Sequence, residues 1–308
     1  MTTRLYTTFL SITLLLAFCR TSAVEIEGGI DLGYRNDTNQ WTISGGEEGP
    51  NIISDLEWTD LEIVELQIEG ELQYPNWAIR SALSFGTMID GANRDSDYIY
   101  DDRQGEFSRS TADTEGSTFD FNIEAAYIIP LSDQGATLLP LIGFQYAAQY
   151  HEDSNGVQEI DRPDLEAILD GESTGLGPND GDLGAFDGLN STYDATWYGP
   201  HIGVELRLPF GKQSEFRTAA RLHYFEYYAE LYWNLRDLDF ENEADGMGWS
   251  FDLQYLYNFS DQWRLLLEFN QTSFESNSGT QTDPEGDIDL NEAIWESYSL
   301  QAGIRYLF

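Results

Sequence analysis

Cysteine is all but missing. The one thiol in 308 residues, Cys19, falls in an N-terminal stretch built from Arg4, the apolar run 9–18 and Thr21-Ser22-Ala23. Charge, apolar core and small-residue end are those of a secretory leader, so residues 1–23 are expected to be removed and the fold is assigned to 24–308. That fold then has no disulfide and no thiolate metal ligand. Phe18 is too bulky for the residue before a lipidated cysteine, so no lipid anchor is expected. Bases are scarce as well: 15 Lys and Arg stand against 55 Asp and Glu, a net charge of -40, and Lys212 is the single lysine. A field of that sign repels nucleic acid and draws cations and basic proteins. Beyond the leader no apolar run reaches the roughly 18 residues of a membrane-crossing helix, and mean hydropathy is only -0.41. A chain this polar enters a bilayer only as a barrel, whose strands show lipid one side chain in two.

The C-terminal stretch 294–308 has that alternation. Tyr298, Leu300, Ala302, Ile304, Tyr306 and Phe308 share one face, and Ser297, Ser299, Gln301, Gly303 and Arg305 the other. A period of two with one greasy and one wet face is a strand with lipid on one side. A soluble sandwich edge is the competing reading, and the rest of the chain repeats the pattern. Val64, Leu66, Ile68 and Leu72 alternate with Glu65, Gln67, Glu69 and Glu71; Phe119, Phe121 and Ile123 alternate with Asp120, Asn122 and Glu124. Strands are expected at 25–42, 52–73, 77–89, around 119–127, 137–150, 193–209, 215–235, around 249–257, 263–274 and 294–308. The aromatic density of the seventh blurs its phase and suggests a bulge.

Ten strands place both termini on one side. Short connections (74–76, 131–136, 210–214, 260–262) alternate with long acidic ones (93–116, 151–192, 236–246, 275–291), the last but two holding a short helix at 163–169 opened by Asp161. Short periplasmic turns and long outer loops are the habit of outer-membrane barrels. Trp77 and Trp263 follow such turns directly, and Tyr127, Phe259 and Tyr306 fall near the same rim, as an aromatic girdle requires. Strands near 20 residues, at about 3.3 Å each and tilted, rise well above an apolar band of about 25 Å. The inward faces carry Glu27, Asp31, Glu65, Glu69, Glu71, Glu124, Glu205, Asp252 and Glu268 against Arg35, Arg80, Arg207, Arg264 and Arg305, so the lumen of so narrow a barrel is expected to be plugged by paired charges.

Four stretches carry a resemblance: Ser54-Asp55-Leu56-Glu57-Trp58, Gly91-Ala92-Asn93-Arg94-Asp95-Ser96-Asp97-Tyr98, Phe119-Asp120-Phe121-Asn122-Ile123 and Trp197-Tyr198-Gly199-Pro200-His201-Ile202-Gly203. With the strand order and loop placement, the chain resembles the omptins, ten-stranded outer-membrane proteases standing tall above the bilayer. The resemblance implies a water held between an aspartate pair and a facing Asp-His couple. Asp95 and Asp97 match the pair in type, spacing and position. Where the family pattern asks for Asp-x-His, this chain has Asp237-Leu238-Asp239; its histidines are His151, His201 and His223. A carboxylate, with a usual pKa near 4, is a poor general base at neutral pH. The alternative is that Asp239 shares a proton with a neighbour.

Hard-oxygen clusters offer a second chemistry. Glu241, Glu243 and Asp245, and Asp283, Asp287 and Asp289, are spaced to attract Ca²⁺ weakly, although neither stretch matches the twelve-residue calcium loop. Solvated acidic loops are the commoner meaning of such runs. No cofactor is expected to be required. The sequence thus reads as an all-β, ten-stranded antiparallel outer-membrane barrel of omptin-like architecture, without protease activity and with a structural or surface-interaction role. Its partners would be lipid, lipopolysaccharide and cationic peptides or proteins. An endopeptidase cleaving at basic residues through Asp95, Asp97, Asp237 and Asp239 is the competing reading, and a narrow cation-selective channel a third.

Overall fold

The structure, a computed structural model, describes residues 24–46, 49–169, 181–284 and 286–308, and the expected leader lies outside them. Among the described residues ten long strands form one antiparallel sheet: β1 (Glu25–Ile43), β2 (Ser54–Gln73), β3 (Trp77–Tyr100), β4 (Gln104–Tyr127), β5 (Thr137–Asp161), β6 (Ser191–Phe210), β7 (Ser214–Trp233), β8 (Leu238–Asn258), β9 (Trp263–Ser276) and β10 (Gly286–Leu307). Each pairs with the next, and β1 pairs with β10 from Glu27↔Leu307 to Ile43↔Leu290, which closes the sheet. Closure leaves no long edge with unpaired backbone groups. A short strand, Gly279–Asp283, folds back on β10 and also meets β8. The helix α1 (Pro163–Leu169) forms where expected, with the Arg162 carbonyl rather than Asp161 at its start, accepting from the Leu165 and Glu166 amides at 3.0 and 3.2 Å.

Both termini lie at one end, here the terminal end, with the short turns. Its rim is aromatic: Trp77 pairs with Tyr127, Trp263 meets Tyr306 edge-on at 4.8 Å, and Phe259 and Phe308 are exposed. Above the rim runs a continuous belt of outward aliphatic side chains. Ile202 is 62% and Leu32 61% exposed, an amount of bare apolar surface that only a lipid phase would cover. A second aromatic row closes the belt, with Phe85, Phe119, Tyr146 and Tyr198 in successive contact at 5.4, 6.2 and 6.5 Å.

Inside the belt the wall is charged, as the alternation predicts. Arg35 bonds Asp37 and Asp120 and reaches Glu65 at 3.2 Å. Arg80 joins Glu124 at 2.8 Å and Glu205, Arg207 joins Glu71 at 2.7 Å, and Arg264 joins Glu27 at 2.8 Å. Arg305, 1% exposed, binds Asp31 and Glu69. Arg217 and Arg221, absent from the sequence-based list of inward bases, belong to the same network. Beyond the belt the lumen changes character. Trp197 packs against Tyr227 at 4.4 Å, Phe225 at 5.2 Å and Trp295 at 6.2 Å, and the cluster extends through Trp41, Trp58 and Leu61.

The structure corrects two further expectations. The stretches 93–116, 236–246 and 275–291 are mostly strand rather than loop: β3 and β4 run on to a turn at 101–103, β5 reaches Asp161, and β8 starts at Leu238. Small and charged residues occupy both faces there, which erases the alternation while leaving the backbone ladder intact. Next, β7 has no bulge, and its registers with β6 and β8 run without a shift. The bulges lie instead in β1 to β4, beyond the belt: Asp37/Asn39, Thr59/Glu62, Met88/Ala92 and Thr111/Asp113. Each extra residue reverses which side chains face inward in one strand relative to its partner. In β2, Asp60 sits at φ 52°, so odd residues such as Ile63 and Glu65 point inward below it and even ones, Trp58 and Leu56, above.

Candidate functional site: the far mouth

The bulge in β3 decides where the aspartate pair goes. Below it, odd residues such as Leu83 and Phe85 face lipid; above it, odd residues face the lumen, and Asp95 and Asp97 with them. Asp95 lies level with Leu56 and Ser110, Asp97 with Ser54 and Ser108. Ser54 Oγ donates to Asp95 Oδ1 at 3.4 Å, long for such a bond. Both carboxyls keep partial access to solvent, yet the surrounding wall is dense enough that desolvation is the main influence on each. It pushes Asp95 well above the usual carboxylate range, with Asp97 beside it adding repulsion. Asp97 rises to about 6, again chiefly through desolvation, with Glu166 of α1 and Glu106 of β4 adding to it. The two favour one shared proton over two negative charges.

One cation acts on the pair from a distance, without an ion-pair contact to either carboxyl. Arg236, in the turn after β7, acts on both carboxyls in the opposite sense, and its guanidinium lies 5.1 Å from the Trp233 ring centre. Trp233 in turn meets Phe240 edge-on at 4.8 Å, making an aromatic lip to the mouth. Asp237 and Asp239 do not join this face. Asp237 occupies the turn at φ 53° and accepts from Tyr232 Oη at 3.1 Å. Asp239 is level with Tyr232 and exposed, because the alternation of β8 turns Phe240 and Asn242 inward and Asp239 out. The structure therefore brings two of the four aspartates together in the mouth and leaves two on the outer side.

The histidines are all inside the wall, at 1–2% exposure. His151 is boxed between Trp58 and Tyr193 at 5.4 and 5.3 Å; His201 meets Glu124 at 3.1 Å and His223 meets Ser250 at 3.0 Å. His151 is the one beyond the belt, and burial drives its pKa down to about 3, so it stays neutral. Near it Asp153 accepts from Trp58 Nε1 at 3.2 Å and Thr114 Oγ1 at 2.5 Å, while desolvation lifts it to about 6. The oxygen-rich stretches lie outside the mouth: Glu241, Glu243 and Asp245 on the outer face of β8, Asp283, Asp287 and Asp289 in the last hairpin. Among the described residues no three His, Cys, Asp or Glu converge closely enough to hold a metal ion. Sequence reading did not single out Arg236 and Trp233; an arginine in the turn that follows the aromatic end of β7 was the available signal.

Comparison with known proteins bears on the fold. The family described as Pom: Protochlamydia outer membrane protein matches residues 29–308. A sequence search of curated proteins returns no match. Among solved structures, the outer membrane protease OmpT from Escherichia coli is similar with a TM-score of 0.75 and 15% identity, covering 94% of this chain and 99% of that one. At that identity the likeness is one of architecture. The translocator domain of autotransporter NalP from Neisseria meningitidis aligns over 98% of this chain and 95% of its own, with 9% identity and a TM-score of 0.39. OprG from Pseudomonas aeruginosa aligns over 93% and 96%, with 8% identity and a TM-score of 0.32.

Proposed function

The chain belongs to the Pom family of outer-membrane proteins, and from that premise we propose that this omptin-like barrel is non-proteolytic and serves as a surface-exposed structural and binding protein. In this reading the terminal end faces the periplasm and the far mouth faces outward, where its acidic rim draws cationic peptides or proteins. The observation that carries it is what stands around Asp95 and Asp97: Asp239, in the place of the family's histidine, points outward, and every histidine is sealed in the wall. Hydrolysis by a held water needs a base that is deprotonated yet able to take a proton near neutral pH. The proton-sharing carboxyls could take a proton, but the facing couple that would hold the water against them is missing, because Asp239, where the histidine is asked for, points away from the mouth. A pore is disfavoured by the aromatic plug around Trp197, which fills the lumen beyond the ion-pair network.

The test is an arginine-rich fluorogenic peptide offered to the refolded barrel with lipopolysaccharide, from pH 5 to 8, beside an Asp95→Asn, Asp97→Asn double variant. Expected is salt-sensitive binding, read by fluorescence anisotropy, without turnover. Turnover that vanishes in the double variant would establish an endopeptidase working through carboxylates and sink the proposal. Conductance steps from the folded barrel in a planar bilayer would replace it with a channel.

A further inference from the structure

A cavity of about 170 Å³ lies in the charged lumen at the level of the belt, lined by eight carboxylates and four arginines. Four of its lining groups have buried polar atoms with no hydrogen-bond partner: Asp120 Oδ1, Asn122 Oδ1, Glu268 Oε2 and Gln301 Oε1. All four are acceptors. Gln301 is 8% exposed, and its Nε2 donates to Glu65 at 2.6 Å, which fixes the carbonyl oxygen as the end left over. Glu268 lies directly across from Gln301 in the β9–β10 ladder and, among the described residues, enters no ion pair. Asp120 spends only its other oxygen on Arg35, at 2.6 Å.

A carboxylate such as Glu268 without an ion pair, in a section of barrel wrapped in lipid, is costly, and orphan oxygens without a single orphan donor among the cavity's described residues call for something positive. We infer that this cavity binds a hydrated divalent cation of the calcium class, held by the Glu268 and Asp120 carboxylates and the Gln301 and Asn122 carbonyls. Carboxylate and amide oxygens mixed with water are the ligands such an ion takes. Because no three acids converge, the ion keeps part of its water shell, and the cavity has room for several waters. The site is separate from the far mouth and does not depend on what Asp95 and Asp97 do.

Trp295 lines the same cavity, so Tb³⁺ bound there would be excited through the indole. The experiment refolds the whole barrel in detergent with Tb³⁺ and reads sensitised emission, with Ca²⁺ as competitor. Expected is saturable emission, displaced by Ca²⁺, with affinity at least tenfold weaker in Glu268→Gln and in Gln301→Leu. It should be retained in a Glu241→Gln, Glu243→Gln, Asp245→Asn triple variant of the outer wall. Circular dichroism confirms that each variant is folded, and Gln301→Leu tests the site without altering its charge. Emission that survives both lumen changes and disappears in the outer triple would overturn the inference. So would a thermal midpoint indifferent to Ca²⁺ but dependent on pH, which would mean that protons alone balance the lumen.

Discussion

The belt section and the section beyond it are built on the same ten strands with opposite insides. Within the belt the outer face is aliphatic and the lumen holds arginines and carboxylates; beyond it the outer face is polar, with acids such as Glu241 and Glu243 exposed, and the lumen is packed with Trp, Tyr and Phe. The difference teaches that a barrel wall sorts residues by what lies outside it. Against lipid, the only place for polar side chains is the lumen, and they must be mutually satisfied there. In water, the lumen is free to become an ordinary hydrophobic core.

The comparison breaks most sharply at Arg35. Replacing it with Met leaves Asp37, Glu65 and Asp120 without their counter-charge, and the expected loss is about 3–5 kcal/mol or failure to refold, read by urea unfolding in detergent. Retention of wild-type stability would mean that the lumen network is ornamental. Next in size, Ile202→Arg on the lipid face should cost about 2–4 kcal/mol, a penalty that a charge on the outer wall of β8 would not incur. In the aromatic section, Ile63→Val should cost about 0.5–1.5 kcal/mol, the ordinary cost of a missing methyl in a core.

The mouth gives a subtler test through pH. Asp97 rises from 3.8 to about 6 on folding, so the folded state holds its proton more tightly than the unfolded chain does. The stability this adds is complete below about pH 4 and is lost as pH climbs through about 6. Asp97→Asn should therefore flatten the pH dependence of the unfolding midpoint across that window, and a variant with unchanged slope would count against the shared proton. Smallest of all, Glu241→Gln with Glu243→Gln should move stability by no more than about 0.5 kcal/mol. The same pair should weaken salt-sensitive capture of cationic peptide if the acidic outer wall contributes to it.

Legibility in the sequence follows the same division. The strands of the belt could be read because lipid on one side and charge on the other impose a strict period of two, as from Val64 to Leu72 and from Tyr298 to Phe308. Beyond the belt that constraint is gone. Asp95 and Asp97 stand in the phase of Leu83 and Phe85, and strict alternation would have placed them on the outer wall. A bulge between Met88 and Ala92 turned them inward, and its one local sign, the glycine of Asp90-Gly91, is passed over by a reading of periodicity alone.

The amino-acid pattern by itself determined the antiparallel barrel, its strand number, the aromatic rim at its terminal end and the charged lumen, because each is dictated strand by strand by the medium the side chains face. Only the tertiary structure decided which carboxylates meet. Asp95 and Asp97 meet in the mouth, while Asp237 and Asp239 look outward, and Glu268 and Gln301 share a cavity with Asp120 and Asn122 from across the lumen. Those meetings depend on bulges, register and barrel closure, which join residues as far apart as Glu27 and Leu307 and leave no trace in local periodicity.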